Sequence, residues 1–155
     1  MGEPVQRGER SALLIILATA GVGSVEAQTA APAAESATPL IIDLEPVDGA
    51  SIRGNVVLHA ENGETSVVVT LYDTRPLAER NDSVQRRYSA SLRHGTCAVP
   101  GSKIDLIAAG IGADGNAAGG DLGVTLEELV ATRPVIRIAE GKSGRAVACA
   151  VVRRG

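Results

Sequence analysis

The chain has no Phe, no Trp and only 2 Tyr among its 155 residues. Any core must therefore come from Val, Ile, Leu and Ala, whose branched members suit the pleated surface of a sheet. The same lack removes the aromatic platforms on which bases or sugars stack. An excess of either charge is missing too: 15 Lys+Arg stand against 18 Asp+Glu, which points away from a nucleic-acid partner. Histidine occurs only at His59 and His94. No stretch keeps a helical apolar period over several turns, so a helical fold is not expected. No internal repeat is present.

A chain of 155 residues suits one domain. Near its start, Arg7 and Arg10 precede the apolar run Ala12–Ala18, and Val25-Glu26-Ala27 offers a small-residue exit before Gln28. Basic start, short apolar stretch and small-residue exit are the parts of a secretory signal peptide, expected here over residues 1–27. The run is short of the roughly 20 apolar residues that span a bilayer, so no stable membrane insertion is expected after cleavage. Residues 28–38, rich in Ala, Pro, Thr and Ser, read as a flexible leader, and residues 39–155 as the folded domain. The expected compartment is the periplasm or the cell exterior. Once Arg7, Arg10, Glu3, Glu9 and Glu26 are removed, 13 basic and 15 acidic residues remain, again without a polyanion-binding bias. Two cysteines in an exported chain most often pair, and both, Cys97 and Cys149, lie in the mature part.

Short apolar runs between turn residues dominate from Pro39 onward. Leu40–Leu44, Ser51–Ala60, Thr65–Leu71, Tyr88–Arg93, Ile104–Ala108, Val135–Ala139 and Ala146–Val152 read as strands, with Val124–Leu126 a further short one. Asn62-Gly63 is a strong hairpin signal. Asp73–Arg87 reads as a polar loop and Gly110–Gly123 as a flexible Gly/Ala/Asp loop, while Leu126–Leu129 has the makings of one helical turn. Seven or eight short strands separated by turn signals predict an all-β Greek-key sandwich.

Several segments carry a resemblance. Leu44-Glu45-Pro46-Val47-Asp48-Gly49 with Ile52-x-Gly54-Asn55-Val56 resembles the first hairpin of bacterial proteins in the Cu,Zn superoxide dismutase-like superfamily. Tyr88-Ser89-Ala90-Ser91-Leu92-Arg93-His94-Gly95-Thr96-Cys97-Ala98 resembles that family's H-P-A-H-I-H-E-G-T-C-A segment. Val147-Ala148-Cys149-Ala150-Val151-Val152 is similar to its closing V-A-C-G-D-I strand. Gly123–Leu129 is similar to a V-x-L-x-x-L segment, and Val135–Ala139 to A-I-N-V-H. The match runs over residues 40–152. It implies an eight-stranded Greek-key sandwich and a Cys97–Cys149 disulfide.

The departures from that pattern fall on the metal ligands. In the H-x-H pair of the family the alternation of strand side chains puts both imidazoles on one face; the matching positions here are Ser91 and Arg93. The later ligand position falls on Ala139, and no His occurs after His94. A hydroxyl is a poor copper ligand, and a fixed guanidinium charge repels a cation. The family's catalytic Arg falls on Ala146, with Arg145 one residue out of phase. The resemblance therefore implies a pseudoenzyme without metal cofactor or dismutase activity.

The remaining candidates are sparse. Gly110-Ile111-Gly112-Ala113-Asp114-Gly115 satisfies G-x-G-x-x-G, but the next residues, Asn116-Ala117-Ala118-Gly119-Gly120, will not start the helix a dinucleotide site needs. Asn81-Asp82-Ser83 is a formal glycosylation sequon. Arg93 and Arg137 fall near the lost metal positions and form a possible anion-binding pair, since guanidinium forks suit carboxylates and phosphates. The leading expectation is an exported non-catalytic module whose partner is an envelope protein or a small acidic ligand. Two alternatives are a degenerate metalloprotein using His59 or His94 with carboxylates, and a chordin-type extracellular domain.

Overall fold

Period-two burial is the rule along the strands. In Glu64–Asp73, the side chains of Thr65, Val67, Val69 and Leu71 are buried while their neighbours are not, as a sheet with one face on a core requires. The computed structural model describes residues 38–80 and 86–155. The expected signal peptide, the leader up to residue 37 and the sequon at Asn81 lie outside them.

Among the described residues the strands are β1 (Leu40–Pro46), β2 (Ile52–Glu61), β3 (Glu64–Asp73), β4 (Tyr88–Gly95), β5 (Pro100–Ile111), β6 (Asp114–Leu122), β7 (Val135–Glu140) and β8 (Ala146–Val151). A short helix, α1 (Leu126–Thr132), and a single 3-10 turn at Leu77–Glu79 complete them. All ladders are antiparallel, and the strands form one sheet in the order β5-β4-β7-β8-β1-β2-β3-β6. The sheet is nearly closed. Its two end strands pack on one another without a ladder, and a Cβ added to Gly120 of β6 would stand 2.6 Å from the Ile107 carbonyl oxygen of β5.

The geometry of the β2–β3 hairpin is set by its turn. Asn62 and Gly63 both take positive φ, 51° and 84°, the conformation a two-residue hairpin of right-handed twist demands. The interior holds Leu44, Val56, Leu58, Val67, Val69 and Leu71 from one half of the sheet, and Tyr88, Leu92, Ile136, Ile138 and Val147 from the other. Tyr88 is the one aromatic side chain in this core, and burial pushes its phenol pKa up.

Two expectations fail. Gly110–Gly123 is not a flexible loop: β5 runs to Ile111 and β6 pairs with β3 from Thr65↔Leu122 to Tyr72↔Asp114. The Gly residues that suggested a loop allow close packing instead, because a side chain at Gly119 would collide with the Val67 carbonyl oxygen. The segment Val124–Leu126 is not a strand. Thr125 is instead the N-cap of α1, where its hydroxyl accepts from the Glu128 amide and the Glu128 carboxylate accepts from the Thr125 amide, a capping box. The backbone bond from Thr125 holds the Glu128 carboxyl below the usual carboxylate range. Leu126 and Leu129 tuck one face of the helix into the core.

Candidate functional site

β4 and β7 decide where the singled-out residues point. Inward, Ala90 faces Ile138 and Leu92 faces Ile136, all in the core. The alternate pairs, Ser89↔Ala139, Ser91↔Arg137 and Arg93↔Val135, therefore lie on the outer face. The row through Ser91 and Arg137 continues to Cys149 on β8 and Glu45 on β1. Ser91, Arg93, Ala139 and Arg137 thus share one surface: alternation pairs Ser91 with Arg93 and Arg137 with Ala139, and the β4–β7 ladder joins the two pairs.

That surface is partly covered. Ser91, Ala139, Val135 and Cys149 are buried although they face away from the core. The disulfide Cys97–Cys149 joins the turn after β4 to β8, with a Cα–Cα distance of 5.8 Å across 52 residues of sequence. Arg93 Nε donates to the Gly101 carbonyl at 3.0 Å. Arg137 donates through Nη2 to the Gly144 carbonyl at 3.0 Å, and its Nε is buried without a partner. Neither guanidinium has a carboxylate within salt-bridge distance among the described residues. Where β4 meets β7, two guanidiniums held by backbone carbonyls favour an anion over a metal ion. Arg145 lies before β8 and is exposed.

The histidines are not brought together. His59 on β2 pairs with Ser66 of β3, and His94 is near the end of β4. Both are exposed, and the intervening strands β7, β8 and β1 on one side and β5, β6 and β3 on the other keep them on opposite walls. Among the described residues no group of three or more His, Cys, Asp or Glu is placed to hold a metal ion. The Gly110–Gly115 motif forms the end of β5 and the turn into β6; no helix comes after it there.

A cleft that the sequence does not announce opens between β1 and β8. It has a volume of about 510 Å³, with Asp43, Glu45 and the disulfide on its walls. The acidic residues at alternate positions of β1 were the available signal, but nothing in them tells that the neighbouring strand parts from β1. Among the described residues no helix is long and apolar enough to cross a membrane. No family model, curated protein or solved structure matches this chain.

Proposed function

We propose that this chain is an exported, non-catalytic member of the Cu,Zn superoxide dismutase-like superfamily, a Greek-key domain that binds acidic partners on the face where its metal-binding relatives carry imidazoles. What supports the Greek-key reading is that β7 returns to lie beside β4, while β6 crosses over to pair with β3 and packs against β5 without a ladder. The single observation that carries the functional reading is the outward row of β4 and β7. Ser91, Arg93 and Ala139 occupy the positions that the resemblance gives to metal ligands, and the Arg137 guanidinium stands opposite Ser91. A copper or zinc ion placed there meets two fixed positive charges and one hydroxyl, a donor set unsuited to either metal. A carboxylate or phosphate meets the reverse situation.

Equilibrium titration of the purified full chain with copper and with zinc tests the reading, alongside titration with a polyglutamate peptide. The expected outcome is no stoichiometric metal binding, and peptide binding that Arg93→Glu abolishes. Stoichiometric copper at submicromolar affinity would overturn it in favour of a metal carrier.

A further inference from the structure

The ladder between β1 and β8 stops early. It holds Glu45↔Cys149 and Pro46↔Ala148 only, although continuing the same register would pair Leu44 with Ala150 and Asp43 with Val151. Beyond the vertex the strands go separate ways. Leu40–Leu44 stays on β2, from Leu40↔Leu58 to Leu44↔Gly54. Ala150 and Val151 stay on β7, opposite Ile136 and Val135, and the Val152 amide donates to the Pro134 carbonyl at 2.9 Å. The cleft fills this fork, with the Cys97–Cys149 disulfide at its closed end.

Each wall of the cleft is therefore the edge of a strand already paired on its other side. In an antiparallel ladder, backbone N–H and C=O groups point alternately to either side, so half of those in Leu40–Leu44 point into the fork. Such an edge accepts another extended backbone. The floor is apolar, because the core residues Ile42 and Ala150 line it. The outer rim of β1 is acidic: Asp43 and Glu45 alternate with the inward side chains and are exposed. Glu45 has one ion-pair partner, Arg53 at 3.3 Å, with both side chains well exposed, a contact that costs little to exchange. Arg153 carries the opposite charge at the open end.

We propose that the β1–β8 fork is a strand-addition site for an extended partner segment of about five residues, the length of Leu40–Leu44, whose side chains alternate between aliphatic and basic. The aliphatic set faces Ile42 and Ala150, and the basic set faces Asp43 and Glu45. A strand has this two-sided alternation by construction, and a helix is too wide to pair with the exposed edges.

The test uses the full chain with its disulfide intact and a fluorescent heptapeptide of alternating valine and lysine, followed by anisotropy. Three comparisons decide the matter. The Asp43→Lys/Glu45→Lys variant should bind this peptide at least about tenfold more weakly and should prefer an alternating valine–glutamate peptide. A valine–lysine peptide N-methylated at alternate residues, with the same side chains but fewer backbone donors, should lose binding to the parent chain. Amide hydrogen exchange at Ile41–Leu44 should slow when the unmodified peptide is added. The proposal is overturned if the unmodified peptide does not bind, if charge reversal leaves its affinity unchanged, or if the N-methylated peptide binds equally well. It is overturned also if sedimentation equilibrium shows the chain pairing with itself and the reversal variant breaking that pairing, since the occupant is then a second copy.

Discussion

The two halves of the sheet are built differently. In the half containing β2 and β3, the ladder runs from Ile52↔Asp73 to Glu61↔Glu64 without a shift, starting from an Asn-Gly turn and a regular inward series of Val and Leu. In the half containing β4 and β5, register shifts occur at four places between Tyr88 and Gly95. There the irregular backbone is tied by other means: the disulfide, and guanidinium donors from Arg87, Arg93 and Arg137 to the carbonyls of Gly110, Gly101 and Gly144. The regular half is a wall that local pairing specifies. In the other half, side chains and a covalent bond hold loops over the outer face, and the arginine pair and the cleft fall there or at its border with β1.

If that contrast is right, the largest loss comes from breaking the regular wall. A side chain at Gly54 would overlap the Thr70 carbonyl oxygen of the neighbouring strand, and neither backbone can yield without parting β2 from β3. Gly54→Ala should cost more than about 4 kcal/mol, read as loss of cooperative urea unfolding. Gly123→Ala, with nothing within 4 Å of the added carbon, should unfold as the parent does.

Second in size is the staple of the irregular half. Removing a bridge between residues 52 apart in sequence should cost about 4 kcal/mol on the chain-entropy account. Denaturant unfolding of the Cys97→Ser/Cys149→Ser double variant checks it, and a midpoint equal to that of the parent would show that the bond contributes nothing.

A smaller and pH-dependent effect belongs to the end of β3. Asp73 accepts from the backbone and side chain of Arg75, both oxygens taking the guanidinium, and Arg80 donates to the Asp73 and Arg75 carbonyls. The side-chain bond from Arg75 is the largest influence, and it holds the Asp73 carboxyl well below the usual carboxylate range. A carboxyl depressed in the folded state contributes stability that is present above its unfolded pKa of about 3.9 and is lost as pH falls toward the folded value. Unfolding monitored from about pH 5 down to about pH 2 should show that loss, and Asp73→Asn should flatten the profile in this window.

The smallest effect should have the opposite sign. Arg137 buries Nε without a partner, an arrangement that costs stability. Arg137→Met should leave the stability unchanged or raise it by up to about 1 kcal/mol, while weakening the polyglutamate binding expected of this face. Urea unfolding measures the first and the peptide titration the second. A clear destabilisation would instead make Arg137 a structural tie through Gly144, and would move the irregular half closer to the regular one in kind.

Legibility in the sequence divides along the same line. The β2–β3 hairpin was readable because Asn62-Gly63 and the alternating Val67, Val69 and Leu71 are local signals. So was the common face of Ser91 with Arg93, and of Arg137 with Ala139, since alternation along a strand needs no tertiary information. That the two pairs meet on one outward surface came from the pairing of β4 with β7. β6 was hidden: Asp114–Leu122 has no apolar alternation, and it is a strand only because the exposed edge of β3 takes a partner that lacks bulky side chains. The helix α1 was half visible in Leu126–Leu129, which reads as one helical turn, but seven residues are too few to show a period.

Composition and alternation by themselves determined that this chain makes strands, that its core is aliphatic, and which side chains share a face within β4 and within β7, because each is set within one strand or by the residue inventory. Only the tertiary structure decided that a glycine-rich segment joins the sheet and that β1 and β8 part beyond Glu45 and Cys149. Both depend on which backbone edges meet in space, and a strand carries no mark in its own residues of where its neighbour leaves it.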